Sequence, residues 1–193
     1  MLDSGGTNLG SVRYAFERLG VRAELSRDPE RIRRASHVVL PGVGAAAPGM
    51  QRLRASGLDR LIPTLTQPVL GVCLGMQLLF EASEEGDTAC LGILKGRLTR
   101  FDEARCGRVP HMGWNRIDAV RDSPLLVGLG RDAYAYFVHS YAAPVTSATV
   151  ATCDYGGAFA AVVSERNFHG AQFHPERSAA TGARLLSNFL ELS

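Results

Sequence analysis

The stretch PVLGVCLGMQ, residues 68–77, changes character at one residue: an apolar run ends at Cys73, helix-forming residues take over, and Gly71 and Gly75 stand two positions away on either side. A buried strand over 69–72 running straight into a helix over 74–82 puts Cys73 at the carboxyl end of a strand, where open α/β sheets bind ligands. So sharp a turn presses backbone against backbone, and glycines at 71 and 75 leave room that side chains would fill. The sulfur is then pushed out of the sheet.

The surrounding pattern fits an α/β chain. Leu9, Val12, Phe16 and Leu19 lay one apolar stripe along a helix that Gly20 can end, and VRAEL over 21–25 reads as a strand. Asp28 and Pro29 resemble an N-cap and first helical position, HVVL over 37–40 is a short strand ending at Pro41, and 50–61 is helical. Such alternation predicts right-handed crossovers and a mostly parallel central sheet flanked by helices. Additional antiparallel strands are expected in the second half, near 93–101, 135–138, 148–153 and 158–163, with a hairpin turn at Tyr155, Gly156 and Gly157. A last helix over 181–192 carries Leu185, Leu186, Phe189 and Leu190 on one face. With 193 residues and no repeat or linker, one domain over 1–193 is expected.

Charge and cysteine usage narrow the function classes. Lys and Arg number 21 against 19 acidic residues, with no basic block, so nucleic acid is not an expected partner. Cysteines 73, 90, 106 and 153 form no CxxC pair and no zinc-like spacing, so neither metal nor cofactor is expected and a reducing, cytoplasmic setting fits best. The opening MLDSGG lacks the regions of a signal peptide and no run of 18 apolar residues occurs, so the protein is expected to be soluble, without a membrane partner.

At a helix N-terminus, unpaired N–H groups and the positive dipole end favour a thiolate and can also hold an oxyanion. A free cysteine is equally a small buried hydrophobe, so Cys73 as nucleophile requires a base. QFHPERS over 172–178 supplies one: Pro175 keeps His174 extended, and residues two apart project to the same side, so His174 and Glu176 can meet. A carboxylate on one ring nitrogen fixes the tautomer and frees the other to exchange protons with a thiol or leaving amine. His37, His111, His139 and His169 lack an acid two residues on, and His37 and His169 read as structural or exposed. In PGVG over 41–44, glycines flanking Val43 let a peptide rotate at little steric cost, so its N–H can be presented to, or withdrawn from, a negative oxygen. Each of the last two strings, alone, is also an ordinary turn.

Together GVCLGMQ over 71–77 and HPE over 174–176 resemble the class I, triad-type glutamine amidotransferases, which release ammonia from glutamine through a γ-glutamyl thioester. The resemblance covers the whole chain. It implies Cys73 as nucleophile, His174 as general base and acid, Glu176 as its orienter, and an oxyanion met by the amide of Leu74 and one in the Gly42–Val43 segment. Within that class, PHMGWN over 110–115, FVHSY over 137–141 and PGVG are similar to the glutaminase subunits of imidazole glycerol phosphate synthase. In that family ammonia passes to a (β/α)8 barrel cyclase subunit, where it joins a phosphoribulosyl-formimino intermediate. The correspondence implies L-glutamine against Gly44, Gln77, Glu85 and the backbone of Ser140 and Tyr141, with Asn8, Met112, Trp114 and Arg177 facing the cyclase. The barrel with its substrate bound is expected to turn the PGVG segment into its oxyanion-binding form. Competing readings are an amidotransferase subunit of another pathway and a silent binding subunit, the latter disfavoured by the intact Cys73, His174 and Glu176.

Two departures stand out. Family members carry several apolar residues before an Asp-Tyr-Gly-x-Gly-Asn string, whereas this sequence opens almost directly at Asp3, with Ser4 and Thr7 in place of the Tyr and second Gly, so most of the first strand is expected to be missing. Arg177 replaces the lysine usual after HPE, which keeps the charge and changes the fork geometry.

Overall fold

In the computed structural model, which describes residues 1–3 and 8–193, the first half runs α1 (Leu9–Arg18), α2 (Pro29–Arg34), β1 (Val38–Gly42), α3 (Ala46–Ala55), α4 (Leu58–Leu61), β2 (Val69–Cys73), α5 (Leu74–Gln77), β3 (Phe80–Ser83) and β4 (Thr88–Ala89). There follow β5 (Leu94–Arg100), α6 (Glu103–Cys106), β6 (His111–Arg116), β7 (Asp118–Ala119), β8 (Tyr134–His139), β9 (Tyr141–Ala142), β10 (Thr149–Asp154), β11 (Ala158–Glu165), β12 (Phe168–Ala171) and α7 (Ala179–Leu190). The main sheet has the order β1-β2-β12-β11-β10-β7. β2 pairs in parallel with β1 on one side and β12 on the other, and the remaining pairings of this sheet are antiparallel. The sheet is therefore mixed, its parallel part confined to the three strands that converge on Cys73. A smaller sheet β4-β3-β5-β9 and a two-stranded ribbon β6-β8 complete the architecture.

Both faces of the main sheet are covered, which is why β1 and β2 are apolar without alternation. Val38, Leu40 and Val69 enter one core with Met50, Leu53 and Ile62, while Val39, Leu70 and Val72 enter the other with Phe16, Leu185 and Phe189. Phe16 and Phe189 are almost fully enclosed, each contributing about 2–3 kcal/mol of burial. The Asp28 carboxylate accepts from Glu30 N at 2.9 Å and caps α2, as its position before Pro29 predicts.

Several expectations need correction. Residues 21–25 form no strand: Val21 and Leu25 are exposed, and only Ser26 finds a parallel bridge, to Leu2, which itself donates to Val39 O. Residues 4–7, where Ser4 and Thr7 depart from the family string, lie outside the described residues. β1 does not end at Pro41 but runs on to Gly42, because proline is tolerated on an edge strand. The helix over 50–61 is two helices, α3 starting earlier at Ala46 and α4 following the left-handed Gly57 (φ 71°). The helix over 74–82 lasts one turn, since Phe80 leaves it to pair in parallel with Leu94 in the smaller sheet. An uninterrupted apolar run does not distinguish helix from buried strand, and the sheet partner decides.

Candidate active site

β2 ends at Cys73 and α5 begins at Leu74, so the cysteine is the joint itself, with φ 53° and ψ −112°. That conformation is strained for a residue with a Cβ and turns the side chain off the strand. Glycines make the turn possible. A Cβ on Gly71 would lie 2.6 Å from Met76 N, one on Gly42 would lie 3.0 Å from Gly75 N, and one on Gly75 would overlap Leu40 O. Because α5 is one turn long, its dipole is smaller than the expected helix would supply, and the backbone amides at the elbow become the main local donors.

His174 follows β12 in extended conformation (φ −94°, ψ 98°), and Pro175 opens a short 3-10 turn that carries Glu176. His174 Nδ1 lies 2.9 Å from Glu176 Oε1, with both side chains almost wholly buried. The same oxygen accepts from Asn8 Nδ2 at 2.7 Å. Asn8, the residue expected to face a partner, is half-buried and left-handed (φ 71°) at the start of α1, and its amide meets that carboxylate. Burial pulls the His174 pKa down, but hydrogen bonding to Cys73 and Glu176 and attraction to both outweigh it and raise it to about 10. Burial likewise pushes the Glu176 carboxyl up, and the bonds from His174 and Asn8 more than reverse that, leaving it below the usual carboxylate range. Cys90 and Cys153 contrast with this pairing: burial raises them to about 11 and about 12, making both poor nucleophiles.

Cys73, His174, Leu74 and Val43 open onto a cavity of about 300 Å³. Its other walls include Gly44, Gln77, Glu85, Ser140 and Tyr141, so every predicted glutamine-binding residue reaches the same space. Gln77 Nε2 donates to Tyr141 O at 2.9 Å and to Gln172 Oε1 at 3.0 Å. Glu85 Oε2 accepts from Ala46 N at 2.7 Å, which sets its carboxylate at the amino end of α3. Gly44, with φ 96°, holds a conformation suited to glycine. A larger hollow of about 470 Å³, between Leu2, Phe16, Val39 and Phe189, shares no lining residue with this cavity and, among the described residues, is lined by no cysteine.

Met112 and Trp114 stand on the outer face of the β6-β8 ribbon, 62% and 54% exposed, opposite Val138 and Tyr136. Arg177 is also exposed, its guanidinium 5.8 Å from the centre of the Tyr136 ring. Val138 lines the cavity as well, so this face continues into the site. His37 and His169 are structural: the first bonds to Leu192 O, the second to Ser164 Oγ. Gln172, two residues before His174, went unnoticed in the sequence; its Nε2 lies 4.0 Å from Cys73 Sγ. Also missed was the pairing of His111 with His139, which strand register alone reveals.

Residues 1–192 match the family model for class-I glutamine amidotransferases. Curated relatives named imidazole glycerol phosphate synthase subunit HisH, from Xanthomonas campestris pv. campestris and Xylella fastidiosa, are 60% and 57% identical, each match covering all of this chain and 96% of the relative. Among solved structures, a glutamine amidotransferase aligns with TM-score 0.76 at 19% identity over 98% of this chain and 96% of its own. A protein described as a putative GMP synthase subunit, from Thermoplasma acidophilum, aligns with TM-score 0.75 at 18% identity over 98% and 90%. The last two speak for the fold alone. With a family model spanning nearly its whole length, the chain belongs to the class-I glutamine amidotransferases.

Proposed function

We propose that this protein, as one amidotransferase domain over 1–193, is the glutaminase subunit of an imidazole glycerol phosphate synthase in histidine biosynthesis. It hydrolyses L-glutamine to glutamate and ammonia and passes the ammonia to a cyclase subunit. The observation that carries the reading is the linked set Cys73, His174 and Glu176, the first two at the wall of one cavity and the third bonded to His174. The full-length identity to HisH subunits supports the choice of pathway.

In this reading His174, which its raised pKa keeps protonated, already holds the Cys73 proton when Sγ attacks the side-chain amide carbon of glutamine. Negative charge then develops on the amide oxygen, where the N–H of Leu74 and an N–H of the Gly42–Val43 segment receive it. His174 returns its proton to the departing ammonia, which leaves a γ-glutamyl thioester. Water, giving a proton to His174, attacks that thioester; glutamate leaves, and the sulfur departs beside the protonated His174, which restores the starting pair. Glu176, itself held by Asn8, keeps the imidazole oriented and stabilises its charged form. Gly44, Gln77, Glu85 and the Ser140–Tyr141 backbone hold the substrate.

Ammonia released into neutral water would be protonated and lose its nucleophilicity, so a shielded passage to the second active site is required. Met112, Trp114 and Arg177, on the face continuous with the cavity, are proposed as cyclase contacts. A gate follows from the same economy of ammonia: rotation of the Gly42–Val43 peptide would withhold the oxyanion site until the cyclase is loaded. The direct experiment is co-expression with the cyclase and assay with either nitrogen source. Cys73→Ala should abolish glutamine-dependent synthesis and leave ammonia-dependent synthesis intact; surviving use of glutamine would refute the reading.

A further inference from the structure

The ribbon β6-β8 holds a second group of buried polar side chains that the thioester chemistry leaves unused. His111 and His139 are register partners, 3% and 7% exposed, with Nδ1 of the first 3.1 Å from Nε2 of the second. Asn115 Nδ2 lies 3.3 Å from His111 Nε2, and His139 Nδ1 lies 2.9 Å from the Tyr141 carbonyl oxygen.

One proton arrangement satisfies this chain. The orientation of the Asn115 amide is settled by its other bonds, since its oxygen accepts from Arg116 N and its nitrogen donates to Asp154 O. Its NH2 therefore donates to His111 Nε2, the His111 proton sits on Nδ1 and is donated to His139 Nε2, and His139 carries its own proton on Nδ1, facing Tyr141 O. Burial keeps both rings neutral, lowering His111 to about 4 and His139 to about 3, so neither opposes a charged His174 nearby. The Tyr141 oxygen also receives Gln77 Nε2, so both of its lone pairs are engaged from within the protein. Packing alone does not call for histidine at 111, where the ring is stacked between Phe137 and Tyr155 at centroid distances of 4.8 and 4.0 Å and a phenylalanine would serve. What the two histidines add is direction.

We infer that His139, oriented by His111, is a positioning residue for glutamine: it holds the Tyr141 carbonyl, and with it the Ser140–Tyr141 backbone, in the arrangement that receives the substrate. This role presupposes the glutaminase reaction proposed above.

Two isosteric changes separate positioning from packing. In His139→Asn a donor remains near the Nδ1 position while the arm toward His111 is lost; in His139→Gln the reach toward His111 remains and the donor to Tyr141 is lost. In the assembled synthase, His139→Gln should raise the glutamine KM about tenfold or more, the scale of one lost hydrogen bond, with kcat and ammonia-dependent synthesis little changed. His139→Asn should stay within about threefold of the wild-type KM, and His111→Phe should fall between the two. A wild-type KM in His139→Gln, or equal rises in the Asn and Gln variants, overturns the inference; if the Gln variant does not fold, a wild-type KM in His111→Phe overturns it instead. Cys73→Ala, run in parallel, distinguishes the two failures. Should it still use glutamine, the glutaminase reading falls and the inference with it; should it be inactive while His139→Gln keeps its KM, only the inference falls.

Discussion

Across the parallel strands β1 and β2, Gly42 is the register partner of Cys73. That pairing sets the PGVG segment beside the sulfur and explains why Gly42 is confined: a Cβ there would press on Gly75 N and on the Leu74 side chain, next to the Leu74 amide proposed as the other oxyanion donor. Gly42→Ala should therefore lower glutamine-dependent kcat at least about tenfold, within the range for a misplaced oxyanion donor, while ammonia-dependent synthesis is unaffected. Steady-state assay with each nitrogen source checks this.

Asn8 and Glu176 form the next test. Asn8→Gly removes the amide that bonds Glu176 but tolerates the left-handed backbone at position 8, so folding should be little affected. The expected result is a fall in kcat of about threefold to tenfold, with unchanged affinity for the cyclase. A normal kcat with weakened assembly, read by isothermal titration, would instead make Asn8 an interface residue alone.

What was legible in the sequence was local. The elbow announces itself because an apolar run, a cysteine and two glycines are contiguous, and His174 and Glu176 are only two residues apart, although they meet across a 3-10 turn and not along the extended segment that the spacing suggests. The Asn8 contact is not legible in this way, because Asn8 and Glu176 are 168 residues apart and only the folded sheet brings α1 to the turn after β12. Residues 21–25 mislead because alternation describes a strand without naming its neighbour, and pairing reaches only Ser26. The short α5 misleads for the opposite reason: Leu78, Leu79 and Phe80 are buried whether the chain coils or extends, and the β5 partner, which begins at Leu94, decides. Gln172 was within reach, since the same two-residue spacing that links His174 to Glu176 links it to His174.

Trp114 is more than half exposed and its ring meets that of Tyr136 at 6.0 Å. Trp114→Ala should leave the melting temperature of the isolated chain nearly unchanged and weaken assembly by about 2 kcal/mol, roughly thirtyfold in Kd, as for a buried aromatic anchor. Loss of stability without loss of assembly would make it a fold residue.

His169, buried and bonded to Ser164 Oγ, has its pKa lowered from 6.5 to about 4 by desolvation. Between those values the unfolded chain binds a proton that the native state refuses, so stability declines as pH falls. From pH 7 to pH 5 this one residue should cost about 1–2 kcal/mol. His169→Gln should therefore lose that much less than wild type in urea unfolding at the two pH values; equal losses would mean that the native ring takes up a proton readily.

The central claim is that glutamine chemistry begins at Cys73 Sγ. It is tested most directly by reacting the assembled synthase with an electrophilic glutamine analogue and mapping the modified peptide by mass spectrometry. The expected result is one adduct per chain, on Cys73, suppressed by added glutamine and accompanied by loss of glutamine-dependent but not ammonia-dependent synthesis. Modification confined to Cys90, Cys106 or Cys153, or labelling of Cys73 that glutamine does not suppress, would contradict it.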